Sequence, residues 1–253
     1  MQSLVEVKDL HVRYGDYEAV KGVSFSLGKG EILGIVGESG SGKSTIAKTL
    51  MGLTQSSGGS IAWGTGNREQ GTGKRGTSVQ MIFQDAVGSL NPRMTVRQTL
   101  REIIEFSNNR IIESGKRNIR TFDYSIIRLL DLVGLSRAVL DQYPREMSGG
   151  QCQRISIARA LACEPEVLIA DEPVSALDVS VQARILNLLR DLRRDLGLSI
   201  LLIAHDLAVV KNVCDRICVM EHGLFVDAGD AKEVFDRPTS EYTKRLLSAV
   251  PRI

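Results

Sequence analysis

The sequence lacks a long uncharged apolar run and a strong charge bias. Its best apolar run, residues 198–204, has the length of a strand and falls well short of the ~20 residues that a membrane-spanning helix needs. The 32 basic and 30 acidic side chains give a net charge of +2, so there is no global electrostatic case for nucleic-acid binding. The sequence therefore predicts a chain that does not itself cross a membrane and has no nucleic-acid partner.

Cysteine is also scarce, and the four cysteines form no Cys-x-x-Cys pair. They are Cys152, Cys163, Cys214 and Cys218. Cys214 and Cys218 could share a helix face near His222, which leaves a metal site as an alternative. Because zinc sites usually have tighter ligand spacing, we interpret the four as small buried apolar side chains.

The length allows either one large domain or a domain with a sizeable insertion. The 253 residues exceed the roughly 150 that are typical of one domain, and 43% apolar with 25% charged residues is typical of a globular protein. Near the N-terminus, Glu6, Lys8 and Asp9 interrupt the apolar stretch that a secretory signal needs. The sequence therefore predicts a cytoplasmic location.

Strand-like and helix-like segments alternate along most of the chain. Apolar runs favour strands at residues 4–7, 11–14, 20–27, 31–36, 59–63, 79–83, 167–170, 199–204, 216–220 and 224–226. Helical spacing occurs at residues 43–53, 95–106, 124–133, 151–162, 179–196, 207–213 and 241–249. The helix at 179–196 has a predicted buried stripe made of Val181, Ile185, Leu188, Leu189, Leu192 and Leu196.

This pattern predicts a single α/β domain over residues 1–253 with a mostly parallel core sheet. An antiparallel β subdomain lies near the N-terminus, and a helical subdomain is inserted at about residues 90–160. The core then comprises residues 1–89 and 160–253.

Residues 37–44 read G-E-S-G-S-G-K-S, which matches the phosphate-loop pattern G-x-x-x-x-G-K-[S/T] at every fixed position. The segment follows a predicted strand and begins a predicted helix, and this context distinguishes it from a glycine-rich surface turn. Lys43 would reach the β- and γ-phosphates of a nucleoside triphosphate, and Ser44 would offer its hydroxyl to Mg²⁺. The predicted phosphate-binding residues are Gly37, Glu38, Ser39, Gly40, Ser41, Gly42, Lys43, Ser44 and Thr45.

Two carboxylates, Asp171 and Glu172, directly follow the buried strand predicted at residues 167–170. Ligands of open α/β sheets bind at the carboxyl ends of the strands. We predict that Asp171 ligates Mg²⁺ and that Glu172 polarises the water attacking the γ-phosphate. Taken alone, the pair could be a solvated turn, but the phosphate loop favours the catalytic interpretation.

Residues 148–151 read S-G-G-Q ahead of a predicted helix. Such a helix start favours an anion, although a plain helix cap would fit the same pattern. Together with Arg154, and about twenty residues before Asp171, the motif resembles the signature of the ATP-binding-cassette (ABC) ATPases.

The resemblance implies roles for further residues. Tyr14 would stack on adenine, Gln84 would sense Mg²⁺ and the attacking water, and His205 would contact the γ-phosphate. Asp178, in the segment S-A-L-D, resembles the family's D-loop. The resemblance thus implies Glu172, His205 and Gln84 as catalytic residues, Ser44, Gln84 and Asp171 as metal ligands, and Tyr14, Ser148, Gly149, Gly150, Gln151 and Asp178 as ATP-binding residues.

The resemblance also implies cofactors and partners. The cofactors would be ATP and Mg²⁺. Two cassettes of this family pack head to tail around ATP, so a second cassette, identical or paralogous, is expected. Two separate membrane permease subunits would dock on about residues 85–147, supplied by an extracytoplasmic substrate-binding protein. The chain would then lie peripherally on the cytosolic face of the plasma (inner) membrane.

Three segments narrow the resemblance to one branch. They are F-Q-D-x-x-x-S-L-N-P at 83–92, A-L-D-V-S-V-Q-A-R at 176–184 and Y-T-x-x-L-L-x-A-V-P at 242–251, and they are similar to the peptide/nickel importer branch. The implied function is ATP-driven uptake of peptides, nickel or metal chelates. An ATPase of a soluble enzyme assembly, such as the phosphonate carbon–phosphorus lyase system, is the alternative, and a nucleic-acid-acting ABC ATPase is less favoured.

Overall fold

The computed structural model describes residues 3–64, 78–111 and 119–249. Within them the strands are β1 (Ser3–Tyr14), β2 (Tyr17–Gly28), β3 (Ile32–Val36), β4 (Gly58–Trp63), β5 (Val79–Ile82), β6 (Val167–Asp171), β7 (Ser199–Ala204), β8 (Arg216–Glu221) and β9 (Leu224–Asp230). The helices are α1 (Lys43–Leu50), α2 (Val96–Ile111), α3 (Ile119–Leu132), α4 (Gly149–Leu161), α5 (Val179–Leu196), α6 (Leu207–Val210), α7 (Ala231–Asp236) and α8 (Glu241–Ser248). Helical 3₁₀ turns occur at Arg137–Val139 and Pro144–Glu146.

The central sheet has six strands in the order β5-β6-β7-β3-β8-β9. All neighbours are parallel except β8 and β9, which form an antiparallel hairpin. Along β7, Ile200 and Leu202 enter the core on one face, whereas Leu201 and Ile203 enter the core on the other. Both faces are covered, which explains the continuous apolar runs of these strands.

The second sheet is antiparallel, with the order β2-β1-β4, and it packs with α1 on one face of the central sheet. The sequence pattern was wrong in dividing the first strand at residues 4–7 and 11–14. The pairing of β1 with β2 shifts register between Val7 and Leu10, and Asp9 adopts a left-handed φ of 48°. This bulge interrupts the alternation of apolar residues without ending the strand.

The helical insertion packs on the other face of the central sheet. Helices α2, α3 and α4 bury apolar residues in the same core as α5. Arg154 on α4 donates to the carbonyl oxygen of Val133 at 2.6 Å, which ties α4 to the end of α3. None of the helices in the described ranges is long and apolar enough to span a membrane.

Helix α5 has the predicted bounds, but its buried stripe ends early. Ile185, Leu188, Leu189 and Leu192 are buried, whereas Leu196 is 41% exposed. Leu196 is the last residue of the helix, where the chain turns at Gly197 (φ 66°) toward β7. Farther along, α6 is only four residues long, and the sequence pattern missed the six-residue α7.

The cysteines are explained by packing. Cys152, Cys214 and Cys218 are buried as predicted, whereas Cys163 is only partly buried. The idea that Cys214 and Cys218 share a helix face is wrong, because Cys218 lies on β8 and the two thiols enter cores on opposite faces of the central sheet. Burial raises the pKa of the Cys218 thiol to about 12. No group of three metal-ligating side chains occurs in the part of the chain that the structure describes.

Candidate functional site

A glycine-rich loop joins the carboxyl end of β3 to the start of α1. Gly42 caps α1 in a left-handed conformation (φ 111°), and a Cβ there would lie 2.4 Å from the carbonyl oxygen of Ala19. A Cβ on Gly37 would lie 2.1 Å from the carbonyl oxygen of Met220 on β8. Both positions therefore require glycine, and the loop lies directly against β8.

Lys43 is 3% exposed, and its ammonium group points back into the loop. Nζ donates to the carbonyl oxygens of Gly37 and Glu38, each at 2.7 Å, and to the Ser41 hydroxyl at 3.4 Å. Burial lowers the pKa of Lys43, while nearby carboxylates act to raise it. The loop therefore holds a partly desolvated cation at the N-terminus of a helix, and both features attract an anion such as phosphate.

Ser44 and Asp171 bring a hydroxyl and a carboxylate together beside the loop. Ser44 Oγ donates to Asp171 Oδ1 at 2.9 Å. Asp171 is 6% exposed, and burial raises the pKa of its carboxyl group although the hydrogen bond from Ser44 acts to lower it. Hard oxygen ligands of this kind fit Mg²⁺.

Gln84, Glu172 and His205 meet because they follow the three neighbouring strands β5, β6 and β7. Gln84 Nε2 donates to Glu172 Oε2 at 2.9 Å and contacts the Ser175 hydroxyl at 3.5 Å. His205 Nδ1 lies 3.7 Å from the same carboxylate oxygen of Glu172. The three side chains predicted to handle the attacking water are thus adjacent.

Glu172 has an unusual backbone. Its φ of 46° lies in the left-handed region, which costs about 1–3 kcal/mol for a residue with a Cβ. The surrounding turn holds it there: its N–H donates to the carbonyl oxygen of Ile203 at 3.0 Å, and its carbonyl oxygen accepts from the N–H and hydroxyl of Ser175. In this conformation the Glu172 carboxylate lies beside Gln84, whose Nε2 donates to it.

A cavity of about 540 Å³ connects these groups. It is lined by Tyr14, Tyr17, Ala19, Glu38, Ser39, Gly40, Gly42, Lys43, Ser44, Thr45, Gln84, Glu172 and His205. Gly37, Ser41 and Asp171, which the sequence analysis also predicted for the site, are not among these lining residues. Tyr14 is 49% exposed at the rim of this cavity, so its ring is accessible there.

The sequence analysis missed Tyr17 and Ala19 at this rim. Tyr17 pairs directly with Tyr14 across the turn between β1 and β2, and it is 61% exposed. The available signal was the pair of tyrosines flanking Gly15 and Asp16, because residues paired across two antiparallel strands present their side chains on the same face.

The S-G-G-Q motif lies elsewhere on the surface. Ser148 caps α4: its hydroxyl accepts from the Gln151 N–H at 3.3 Å, and the Gln151 side chain accepts from the Ser148 N–H at 2.8 Å. Asp178 caps α5 through the Val181 N–H at 3.0 Å, and hydrogen bonding lowers the pKa of its carboxyl group. Among the described residues, these two helix starts do not belong to the lining of the cavity that contains Lys43.

The site combines a phosphate loop, an acidic strand end and a polar cavity, all at the carboxyl edge of a parallel sheet. This combination is typical of P-loop nucleotide-binding proteins. A family model described as "ABC transporter" matches residues 20–175. The chain therefore belongs to the ABC transporter family.

Curated relatives resemble the chain over most of its length. The oligopeptide transport ATP-binding protein OppF of Lactococcus lactis subsp. lactis (strain IL1403) is 45% identical over 100% of this chain and 82% of its own length. The OppF protein of Salmonella typhimurium is 43% identical over 98% of this chain and 78% of its own length. The resemblance to the oligopeptide branch of the family is thus confirmed.

Solved structures show the same fold. The structure of cbiO1 from Clostridium perfringens, described as part of the ABC transporter complex cbiONQ, superimposes with a TM-score of 0.78 at 27% identity and covers 94% of this chain and 92% of that one. The cassette MJ1267 gives a TM-score of 0.78 at 24% identity over 97% and 99% of the two chains. These findings confirm the predicted α/β fold with its mostly parallel core sheet, which is the P-loop NTPase fold of the ABC ATPases implied by the family resemblance. Family membership confirms that the chain is an ATP hydrolase of the ABC type.

Proposed function

We propose that this chain hydrolyses ATP in a head-to-tail pair of cassettes and thereby powers uptake of oligopeptides through separate membrane permease subunits. The observation that carries the proposal is the division of the site. Lys43, Glu172 and His205 share one cavity, whereas the S-G-G-Q motif is presented on a separate helix start. The cargo class is supported by the relatives, which are named oligopeptide transport proteins.

The cavity supplies the groups that in-line phosphoryl transfer needs. The loop and Lys43 would hold the β- and γ-phosphates, and Glu172 would take the proton of the attacking water. Gln84 and His205 already contact the Glu172 carboxylate, so both would fix the water beside it. Catalysis then depends mainly on positioning and electrostatics, as is usual for this chemistry.

Magnesium fits the donors beside the loop. The Ser44 hydroxyl, the Asp171 carboxylate and the Gln84 side-chain oxygen are the hard ligands that this ion prefers. When bound, Mg²⁺ neutralises charge on the phosphate oxygens. The buried carboxyl group of Asp171 has a raised pKa, so a bound cation would stabilise its charged form.

The second cassette completes the site. The exposed start of α4 at Ser148 offers backbone N–H groups and a helix dipole to an anion. Asp178 is likewise exposed. In a head-to-tail pair these groups of one chain would face the ATP bound by the other, so ATP would favour closure and its hydrolysis would favour opening.

A groove between the central sheet and the helical insertion offers the membrane subunit a docking site. It is lined by Met51, Gln80, Met81, Phe83, Ser89, Asn91, Met94, Thr99, Glu102, Ile103, Phe106, Ser156, Arg159 and Ala160. Phe83 is 41% exposed and Phe106 is 56% exposed. Phe106 lies in the region predicted to receive the permease, at about residues 85–147, whereas Phe83 lies just before that region and directly precedes Gln84. Docking there would place the chain peripherally on the cytosolic face of the plasma (inner) membrane, with an extracytoplasmic binding protein delivering peptide.

Reconstitution tests the proposal. We expect the chain to co-purify with membrane permease subunits, and we expect oligopeptide with its binding protein to stimulate ATP hydrolysis in proteoliposomes. F106D should abolish this stimulation and leave basal hydrolysis intact. L224D provides a matched control, because Leu224 is 45% exposed on the β8–β9 hairpin outside the groove. Co-purification with soluble lyase subunits, or equal effects of both variants, would contradict the proposal.

A further inference from the structure

The last described helix reaches the phosphate loop. Tyr242 lies on α8 and is 5% exposed, and its hydroxyl oxygen accepts the backbone N–H of Glu38 at 2.9 Å. The two residues are separated by 204 positions in the sequence, so the contact is made only by the folded chain. Burial raises the pKa of Tyr242, which keeps the hydroxyl neutral near physiological pH.

The start of α8 is anchored to β9 by Asp227. One carboxylate oxygen accepts the N–H of Thr239 at 3.3 Å and its hydroxyl, and the other accepts the N–H of Ser240 at 2.9 Å. The Ser240 hydroxyl in turn caps α8 by accepting the N–H of Tyr242 at 3.2 Å. These bonds fix the helix start, and with it the Tyr242 ring, against the central sheet.

Glu38 links this anchor to the lysine of the loop. Its N–H donates to Tyr242, and its carbonyl oxygen accepts Lys43 Nζ at 2.7 Å. Glu38 also lines the cavity that contains Lys43. The hydrogen bond from the Glu38 N–H to Tyr242 therefore helps to orient the backbone of Glu38. That orientation in turn positions the Glu38 carbonyl oxygen, which accepts from Lys43.

We propose that Tyr242 is a positioning residue for the nucleotide site: its hydroxyl fixes Glu38 so that the phosphate loop is ordered before ATP binds. The proposal rests on the phosphate-binding role proposed for Lys43. Without the hydroxyl the first turn of the loop gains conformational freedom, which binding must remove. ATP affinity falls, while turnover of the bound nucleotide is preserved because Glu172, Gln84 and His205 are untouched.

Y242F tests the proposal because it keeps the buried ring and removes only the acceptor. We expect the Kd for ATP and the KM to rise roughly three- to tenfold, about 0.6–1.4 kcal/mol, with kcat changed less than twofold. In a sample labelled with ¹⁵N-glutamate, the amide signal of Glu38 should shift and its hydrogen exchange should accelerate. Y143F serves as the matched control, because Tyr143 is only partly exposed and lies in the helical insertion.

The outcomes separate this inference from the function on which it rests. If K43A retains normal ATP affinity, the proposed loop assignment fails. If K43A loses ATP binding while Y242F keeps the wild-type Kd and an unchanged Glu38 amide signal, only the role of Tyr242 fails. A fall in kcat with unchanged KM would also overturn it, as would an equal effect of Y143F.

A double-mutant cycle that combines D227N with Y242F gives a second test. D227N removes the charge and one acceptor from the anchor of Thr239 and Ser240. We expect it to raise the Kd for ATP in the wild-type background and to have little further effect in the Y242F background. If the effects of the two substitutions on the free energy of ATP binding were fully additive, Asp227 would not act on the phosphate loop through Tyr242.

Discussion

Glu172 is expected to be the general base, and E172Q isolates that role. The substitution preserves the size of the side chain and leaves an oxygen that can still accept from Gln84 Nε2, which now donates to Glu172 at 2.9 Å. It removes the group that takes the proton from water. General-base catalysis contributes about 10²–10⁴ in rate, which corresponds to about 2.7–5.4 kcal/mol of barrier. We therefore expect turnover to fall by that factor while ATP binding persists.

Two measurements separate the proton-transfer role from a structural one. Single-turnover hydrolysis with Mg²⁺ reports the chemical step, and an equilibrium titration reports ATP affinity. Affinity should hold or increase, because the variant loses a negative charge beside the phosphates. E164Q is the matched control: Glu164 is exposed, and its φ of 47° is close to the 46° of Glu172.

Near-normal hydrolysis by E172Q would refute the general-base assignment. A loss of ATP affinity as large as the loss of turnover would also refute it, since that result would make Glu172 a binding group. If E164Q slowed hydrolysis as much as E172Q, the loss of turnover would not be specific to the carboxylate at position 172.

Other substitutions test the metal site, the partner contact and the loop. D171N should raise the thermal unfolding midpoint without nucleotide at pH 7, because burial raises the pKa of Asp171 and disfavours its charged form. This gain in the unfolding midpoint should shrink as the pH falls toward that pKa, because the wild-type carboxyl group then becomes neutral as well. D171N should also abolish the Mg²⁺ dependence of ATP binding. If the Mg²⁺ effect were retained, Asp171 would not be a metal ligand. S148R should prevent ATP-induced pairing of cassettes in gel filtration, whereas S136R, at another serine helix cap, should not; a surviving dimer in S148R would remove Ser148 from the interface. G37A should weaken ATP binding at least tenfold in a titration, because its Cβ would lie 2.1 Å from the carbonyl oxygen of Met220; unchanged affinity would show that the loop can shift at no cost.

The sequence patterns correctly predicted those features that are formed by residues close together in the sequence. The phosphate loop occupies consecutive residues between a strand and a helix, so its residue spacing and these two flanking elements identified it. Helix α5 was predicted with both bounds correct, because Asp178 caps its start and Gly197 adopts the left-handed conformation at its end. Strands β6 and β7 were found for a similar reason, since both faces are buried and their apolar runs are continuous.

Contacts between distant segments were beyond the reach of such patterns. The meeting of Gln84, Glu172 and His205 follows from the strand order β5-β6-β7, and in the sequence analysis only the family resemblance grouped them. The contact of Tyr242 with Glu38 had no local signal, because a tyrosine in an amphipathic helix is most simply interpreted as core. The bulge in β1 misled the pattern, since it shifts the alternation at Asp9 within a continuous strand.

The groove proposed for permease docking and the proposed site of the attacking water are linked by one step along the chain. Phe83 lines the groove, and the next residue, Gln84, donates to the Glu172 carboxylate at 2.9 Å. A permease helix that displaces Phe83 would change the orientation of Gln84 and with it the position of the attacking water. Thermodynamic linkage makes such coupling reciprocal: if permease binding strengthens ATP binding by some factor, ATP must strengthen permease binding by the same factor. Substituting Gln84 should therefore weaken this mutual dependence by a larger factor than it weakens either individual binding event, a result that neither a purely structural nor a purely catalytic glutamine would give.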